Sequence, residues 1–304
     1  MSVNTELNDL NTANQRFVPN DFLQILGKQS IKDLHLGDQT QVQMTVLFSD
    51  IRSYTTISEK MTPQQNFNFI NAYLGRIGPI IKQNGGFISQ YMGDGFMALF
   101  VASPSKAIKA AIDIQKELQV YNQERLTANR QPLKTGIGLN TGELMLGVIG
   151  DEHRYESTVI SDAVNTASRM EGLTKVFGGA IIISVNTLVS LQHPNKSSIG
   201  IDFAYRYLGK VKVKGKDRAL KIYDLFEGEA DTIRKLKCNT KFSFEQGINF
   251  YFNQEFEKAA ECLKEVLAVN KKDLAASYYL NKSVNYIIDG VAKDWDGVEE
   301  MIMK

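Results

Sequence analysis

Met44-Thr45-Val46-Leu47-Phe48-Ser49-Asp50-Ile51-Arg52-Ser53-Tyr54-Thr55 is the stretch from which the rest of the chain can be placed. An apolar run breaks at a carboxylate and passes into a polar, hydroxyl-rich turn. Further on, Phe87-Ile88-Ser89-Gln90-Tyr91-Met92-Gly93-Asp94-Gly95-Phe96-Met97-Ala98-Leu99-Phe100 sets two short apolar strands on either side of Gly93-Asp94, a two-residue turn of the hairpin kind. Each segment puts one aspartate at a strand end. Strands lying side by side would bring Asp50 and Asp94 together.

Two carboxylates in contact repel, so the pair needs a shared proton or a divalent cation. The nearby hydroxyls and free backbone amides favour a hard, oxygen-coordinated ion, Mg²⁺ or Mn²⁺, with a phosphate over the turn. Taken singly, Asp94 has a plain role in forming the hairpin and Asp50 in ending a strand. Taken with a helix further along, those plain roles are disfavoured.

The chain of 304 residues has room for one large domain and a small one. A hydrophobic content of 43% and a charged content of 23% are ordinary for a globular protein. A net charge of +1 gives no footing for nucleic acid or an anionic membrane. No apolar run approaches the roughly 18 residues of a membrane span, and Met1 to Asn14 has no signal-peptide core. Cys238 and Cys262 are too few for a disulfide framework. His35, His153 and His193 stand apart, which disfavours zinc. A reduced, cytoplasmic protein is expected.

Met1 to Gln15 reads as a frayed start. Arg16 to Gly27 reads as a short amphipathic helix, with Asn20 or Asp21 as cap and Gly27 as stop. After Thr62-Pro63, the residues Phe67, Ile70, Tyr73, Leu74, Ile77, Ile80 and Ile81 recur at helical spacing up to Asn84-Gly85-Gly86. A second helix runs from Ser103-Pro104 to about Ala128. Lys134 to Leu139 and Gly142 to Ile149 read as two strands, bent at Thr141-Gly142. A helix starts near Asp162, on which Asn165 and Arg169 sit four apart and share a face. Ala180 to Ser184 is a strand followed by a short helix, and Phe203 to Val213 with Leu220 to Phe226 a last hairpin. Asp231 to Lys237 reads as a charged linker. Beyond it lie helices around Phe244 to Tyr251 and Phe256 to Asn270, with a third starting at Ala275.

Phe48-Ser49-Asp50-Ile51-Arg52-Ser53-Tyr54-Thr55, with Tyr91-Met92-Gly93-Asp94 and Val164-Asn165-Thr166-Ala167-Ser168-Arg169, resembles the class III nucleotidyl cyclases, the adenylyl and guanylyl cyclases. The resemblance runs from about Thr40 to Glu227. It implies an α+β fold, a ferredoxin-like βαββαβ domain with extra strands, at residues 40–228. An N-terminal arm (1–39) precedes it, and a small all-α helical hairpin (229–304) that resembles a tetratricopeptide pair follows. One such repeat cannot bury its own face. It is expected to dock on the cyclase domain, on a partner protein or on its copy in a dimer.

The resemblance also implies roles. Asp50, Asp94 and the Ile51 carbonyl would hold two Mg²⁺ or Mn²⁺ ions, and the 3′-hydroxyl of a nucleoside triphosphate would attack the α-phosphorus in line. Arg169 would stabilise charge on the α-phosphoryl group, and Asn165 would position the ribose. Lys214, in Val213-Lys214-Gly215-Lys216-Asp217, would hold the terminal phosphates, with Thr55 also on the substrate. The family is dimeric, with the aspartates from one chain and the Asn/Arg set from the other, so a homodimer would hold two equivalent sites.

Gln90 and Thr158 stand where the family reads the base. Thr158 is the adenylyl type. Gln90 departs from the lysine of adenylyl and the glutamate of guanylyl cyclases, and a flipped amide suits either base. ATP is favoured over GTP because no acidic group is available for the guanine N–H groups. The rivals are a guanylyl cyclase and a weakly active cyclase-like regulator acting through the tail. A diguanylate cyclase is disfavoured because the Gly-Gly-Asp/Glu-Glu-Phe signature is absent.

Overall fold

A computed structural model of the chain describes residues 13, 17–101, 103–191, 203–212 and 219–300. Lys214 with its turn lies outside the described residues, as does nearly all of the expected frayed start.

Strand β1 (Gln39–Ile51) is the spine of the sheet, between β3 (Gly95–Val101) and β4 (Thr135–Asp151). Its centre, Met44 to Leu47, is buried. β1 leads through α2 (Tyr54–Ser58) and α3 (Pro63–Gln83) to β2 (Phe87–Met92), and β3 leads through α4 (Pro104–Thr127) to β4. The order β2-β3-β1-β4, with β1 antiparallel to both neighbours, is the ferredoxin-like βαββαβ arrangement. β5 (Arg154–Ile160) pairs with the outer half of β4. Beyond α5 (Asp162–Phe177), the sheet continues from β4 through β6 (Ile181–Ser184) to β8 (Ala219–Leu225), β7 (Tyr205–Lys212) and β9 (Glu299–Glu300), and α6 (Val185–Leu191) follows β6.

Several elements differ from their sequence reading. β4 is one strand of 17 residues, not two, because β1 pairs along it from Gln39↔Gly147 to Ile51↔Thr135. The stripe on α3 is Phe69, Tyr73, Ile77 and Ile81, four apart, and Phe67 is turned outward and 66% exposed. Thr62 starts α3 through a capping box with Gln65, so the site of its start agrees with the sequence. α1 (Asn20–Ile25) is shorter than expected. Its cap position is Pro19 and no side chain caps it.

α3 and α4 cover one face of the sheet. Ala167 of α5 and Phe22 of α1 pack on the other, against Met44, Val46 and Leu144. The remaining side of α5 meets the C-terminal helices α7 (Asp231–Phe252), α8 (Phe256–Val269) and α9 (Leu274–Asp289). Met170, Leu173 and Phe177 share one core with Leu208, Ile222, Phe244, Tyr251, Leu263 and Tyr279. Of the three docking expectations for the tail, this structure realises the one against the chain's own cyclase-like half. Asp231 to Lys237 is therefore not a linker but the first turns of α7. Lys237 is buried and reaches Asp224 at 2.9 Å and Glu229 at 2.7 Å. Gly247 lets α7 cross α8 closely, since a Cβ there would stand 3.1 Å from Leu263. No helix among the described residues is long and apolar enough to cross a membrane.

Candidate active site

Asp50 is the penultimate residue of β1, and Asp94 is the second residue of the β2–β3 turn. The register puts Ser49 opposite Phe96, which leaves Gly95 beside Asp50. Gly93 takes φ +67° to make the turn. Gly95 lets the hairpin close on β1, because a Cβ there would meet the Ser49 carbonyl at 2.7 Å and Asp50 Oδ1 at 3.2 Å. The two carboxyl groups lie close enough to act on each other. Partial burial and the neighbouring Asp50 push the Asp94 carboxyl up to about 7, against the opposing pull of its own N–H and that of Ile51.

The donor set fits a hard divalent cation. Two carboxylates stand together, and their repulsion is what a cation relieves. Among the described residues no group of three or more His, Cys, Asp or Glu side chains gathers as a metal site. The remaining ligands would be backbone carbonyl and substrate phosphate oxygens, the usual arrangement for Mg²⁺ carried with a nucleotide.

α5 is set against this pair by glycines in β4. A Cβ at Gly138 would stand 2.0 Å from the Glu171 amide nitrogen, and one at Gly142 2.8 Å from the Ala163 Cβ. One at Gly136 would stand 2.0 Å from the Arg52 guanidinium. Gly136, Gly138 and Gly142 alternate along the strand and so line one face, which α5 meets with its backbone at Gly138, with Ala163 at Gly142 and with Thr174 at Gly136. At its start, Ser161 caps Ala163 N at 3.0 Å and donates to the Glu143 carbonyl at 2.6 Å. At its end Gly178 takes φ +67°. This placement brings Glu171 to Arg52 at 3.1 Å and Lys175 to Asp50 at 3.6 Å. Burial raises the Glu171 carboxyl in spite of Arg52. Sequence reasoning gave Arg52, Glu171 and Lys175 no role. The alternating glycines were the signal.

Among the other expected residues, Thr55 is exposed in the first turn of α2. Gln90 is exposed on edge strand β2 just after a register irregularity, and Thr158 is half-buried on β5. Asn165 is exposed and Arg169 half-buried on α5. The structure brings Asp50, Asp94 and Ile51 together. It does not join Gln90 to Thr158 by any hydrogen bond among the described residues.

The sequence pattern described as the adenylate and guanylate cyclase catalytic domain matches residues 37–226. The chain belongs to this family. An adenylate cyclase of Anabaena cylindrica is 42% identical over 217 residues, 69% of this chain and 42% of that protein. The terminal-differentiation specific adenylate cyclase of Dictyostelium discoideum is 32% identical over 284 residues, 92% of this chain and 13% of that protein. The unmatched 8% is far smaller than the stretch beyond residue 226, so this second match takes in the tail helices as well as the cyclase domain. The solved structure of the guanylyl cyclase Cya2 is 32% identical, with a TM-score of 0.51 over 61% of this chain and 92% of that one. The chain thus spans less than half the length of the two curated relatives.

The cyclase domain's carboxylate pair makes a prediction. Burial and the neighbouring Asp50 push the Asp94 carboxyl up to about 7, from an ordinary 3.8. A raised carboxyl pKa makes folding most favourable at acid pH and lets stability fall as pH rises from about 4 to about 7. Without divalent cations, urea unfolding between pH 5 and 8 should show this decline. Asp94→Asn should flatten it. An equally steep decline in the variant would assign it elsewhere.

Proposed function

We propose that this chain is a homodimeric adenylyl cyclase, converting ATP to 3′,5′-cyclic AMP and pyrophosphate. The contact of Asp50 with Asp94 inside a cyclase catalytic domain carries the reading. The two relatives above that bear the name adenylate cyclase support ATP as substrate.

Asp50, Asp94 and the Ile51 carbonyl would hold two Mg²⁺ or Mn²⁺ ions. When bound, these supply an acidified 3′-hydroxyl and charge neutralisation on the phosphates. Arg169 offers a planar cationic fork to the α-phosphoryl group, Asn165 holds the ribose, and Thr55 and Lys214 hold phosphate oxygens. Gln90 and Thr158 hold the adenine.

Helix geometry supports a site shared between two chains. Asn165 precedes Lys175 by ten residues, roughly 15 Å along α5, and Lys175 stands at its own chain's Asp50. Arg169 is turned by roughly 120° or more from Glu171 and Lys175. Asn165 by its distance along the helix and Arg169 by its direction are set apart from their own chain's metal pair, and in this reading both serve a partner's. Exposed Tyr91 and Met92 beside the hairpin turn, and Ile149, Tyr155 and Ile160 on the β4–β5 arm, supply apolar surface for that partner. In this reading residues 40–228 carry the reaction, 1–39 form an arm, and 229–304 form a tetratricopeptide-like tail that also offers a face to a protein partner.

The test is the purified protein with ATP or GTP and Mg²⁺ or Mn²⁺, with the product identified by chromatography. Cyclic AMP is expected. Cyclic GMP as the main product would favour the runner-up, a guanylyl cyclase, which the Gln90 amide admits because it can donate or accept. Gln90→Lys should sharpen the choice. A lysine donates to the adenine ring nitrogen with full charge but has no acceptor for the guanine N1–H. An unpaired donor costs on the order of 1–3 kcal/mol, so the ATP/GTP ratio of kcat/KM should rise roughly ten- to a hundredfold. A flat ratio would remove residue 90 from base recognition.

A further inference from the structure

Two cations of this chain stand at the carboxylate pair, and they are held very differently. Arg52 is engaged by Glu171 at 3.1 Å and boxed in where Gly136 leaves room for its guanidinium and Thr174 lines the same space. Lys175 contacts Asp50 Oδ2 at 3.6 Å, and its side chain is 55% exposed. A lysine is a compact point charge on a flexible four-carbon stem. It can leave Asp50 without disturbing the helix that carries it. Among the described residues, the charged groups facing Asp50 are Asp94 from the hairpin, Arg52 beyond the end of β1, and Glu171 and Lys175 from α5. With Arg52 balanced by Glu171, Lys175 is the charge that offsets Asp50.

We propose that Lys175 is a displaceable counter-ion of the metal site. It holds Asp50 while no metal is bound, gives way to the incoming divalent cation, and so sets how tightly that cation binds. This rests on the reading of Asp50 and Asp94 as metal ligands. Lys175 is a positioning residue and touches no reacting atom. A fixed positive charge beside a ligand carboxylate competes directly with a cation for the same oxygen atoms. Its ordinary role, a cation in the last turn of α5 that complements the negative helix end, is the alternative.

The experiment titrates Mn²⁺ into the full chain saturated with 3′-deoxy-ATP, which lacks the attacking hydroxyl. Bound Mn²⁺ is read from water-proton relaxation, with nucleotide alone as the blank. Lys175→Gln should tighten Mn²⁺ binding by about tenfold. Lys175→Arg, which keeps the charge, should stay within about twofold of wild type. Asp50→Asn should abolish the protein-dependent binding. Circular dichroism confirms that each variant is folded. If wild type binds Mn²⁺ and Asp50→Asn does not, yet Lys175→Gln is unchanged or weaker, the counter-ion role is overturned and the helix-end role stands. If Asp50→Asn binds as well as wild type, the metal reading itself fails, and the proposal with it.

Discussion

Asp50→Asn and Asp94→Asn should each lower turnover by at least about a thousandfold while leaving the fold intact. Metal catalysis is worth several kcal/mol of transition-state charge stabilisation, and about 4 kcal/mol is a factor of a thousand in rate. The asparagine amide keeps the shape of the carboxylate and loses the charge that holds the cation. The fold should survive because the carboxylates oppose each other in the metal-free protein, where Asp94 is pushed up to about 7. Thermal midpoints equal to or above wild type are expected. The same variants address the shared site. Asp50→Asn chains mixed with Arg169→Ala chains form dimers in which one site draws its aspartates from the second chain and its arginine from the first. That site is intact, so activity should return on mixing, toward half of wild type per mixed dimer. Near-normal turnover in either aspartate variant would overturn the metal assignment. Absence of recovery, with chain exchange shown by tagged subunits, would overturn the division of the site between chains.

The meeting of Asp50 and Asp94 is legible in the sequence because both its causes are local. An apolar strand ends at one aspartate, and a two-residue turn with a glycine carries the other. The start of α3 at Thr62 is legible for the same reason, since a capping box is written in four consecutive residues. The Glu171–Arg52 and Lys175–Asp50 contacts are not legible in that way. They depend on α5 lying flat on β4, and the glycines that allow this read locally as a bend. Gly142 reads locally as a break between two strands, whereas its missing side chain makes room for Ala163. The charged segment from Asp231 to Lys237 reads as a linker for a similar reason. Lys237 is buried against Asp224 on strand β8, and nothing within the segment announces that partner.

That partner belongs to a buried charge cluster that makes the second large prediction. Arg206 on β7 is 1% exposed and sits at the centre. It reaches Asp224 at 3.1 Å and Asp273 by a two-pronged contact at 2.6 and 3.0 Å, and its guanidinium lies 4.1 Å over the Phe244 ring. Asp273 is also the N-cap of α9 and accepts from Ala276 N at 3.1 Å. The Arg206 and Lys237 charges hold its carboxyl below the ordinary value, opposing burial. One side chain thus starts a tail helix and ties it to the cyclase sheet. Removing one partner of a buried ion pair costs about 3–5 kcal/mol, since the other charge stays buried, and losing an N-cap costs about 1 kcal/mol more. Asp273→Ala should therefore destabilise by about 4–6 kcal/mol. Asp273→Asn keeps the capping oxygen and should cost about 1 kcal/mol less. Urea unfolding followed by circular dichroism reads both. The sign with pH follows from the depressed carboxyl. Its contribution is present at neutral pH and is lost as pH falls below the ordinary carboxylate value, so wild type and Asp273→Asn should converge in acid. The double variant Arg206→Met with Asp273→Leu removes both charges and leaves Lys237 to Asp224 and Glu229. It should recover most of the loss, because an apolar replacement of a buried pair is often neutral. If Asp273→Ala costs no more than a surface substitution, the tail is not held by this cluster. Its attachment would then rest on the apolar core that Phe177 and Leu173 share with Tyr279 and Leu263.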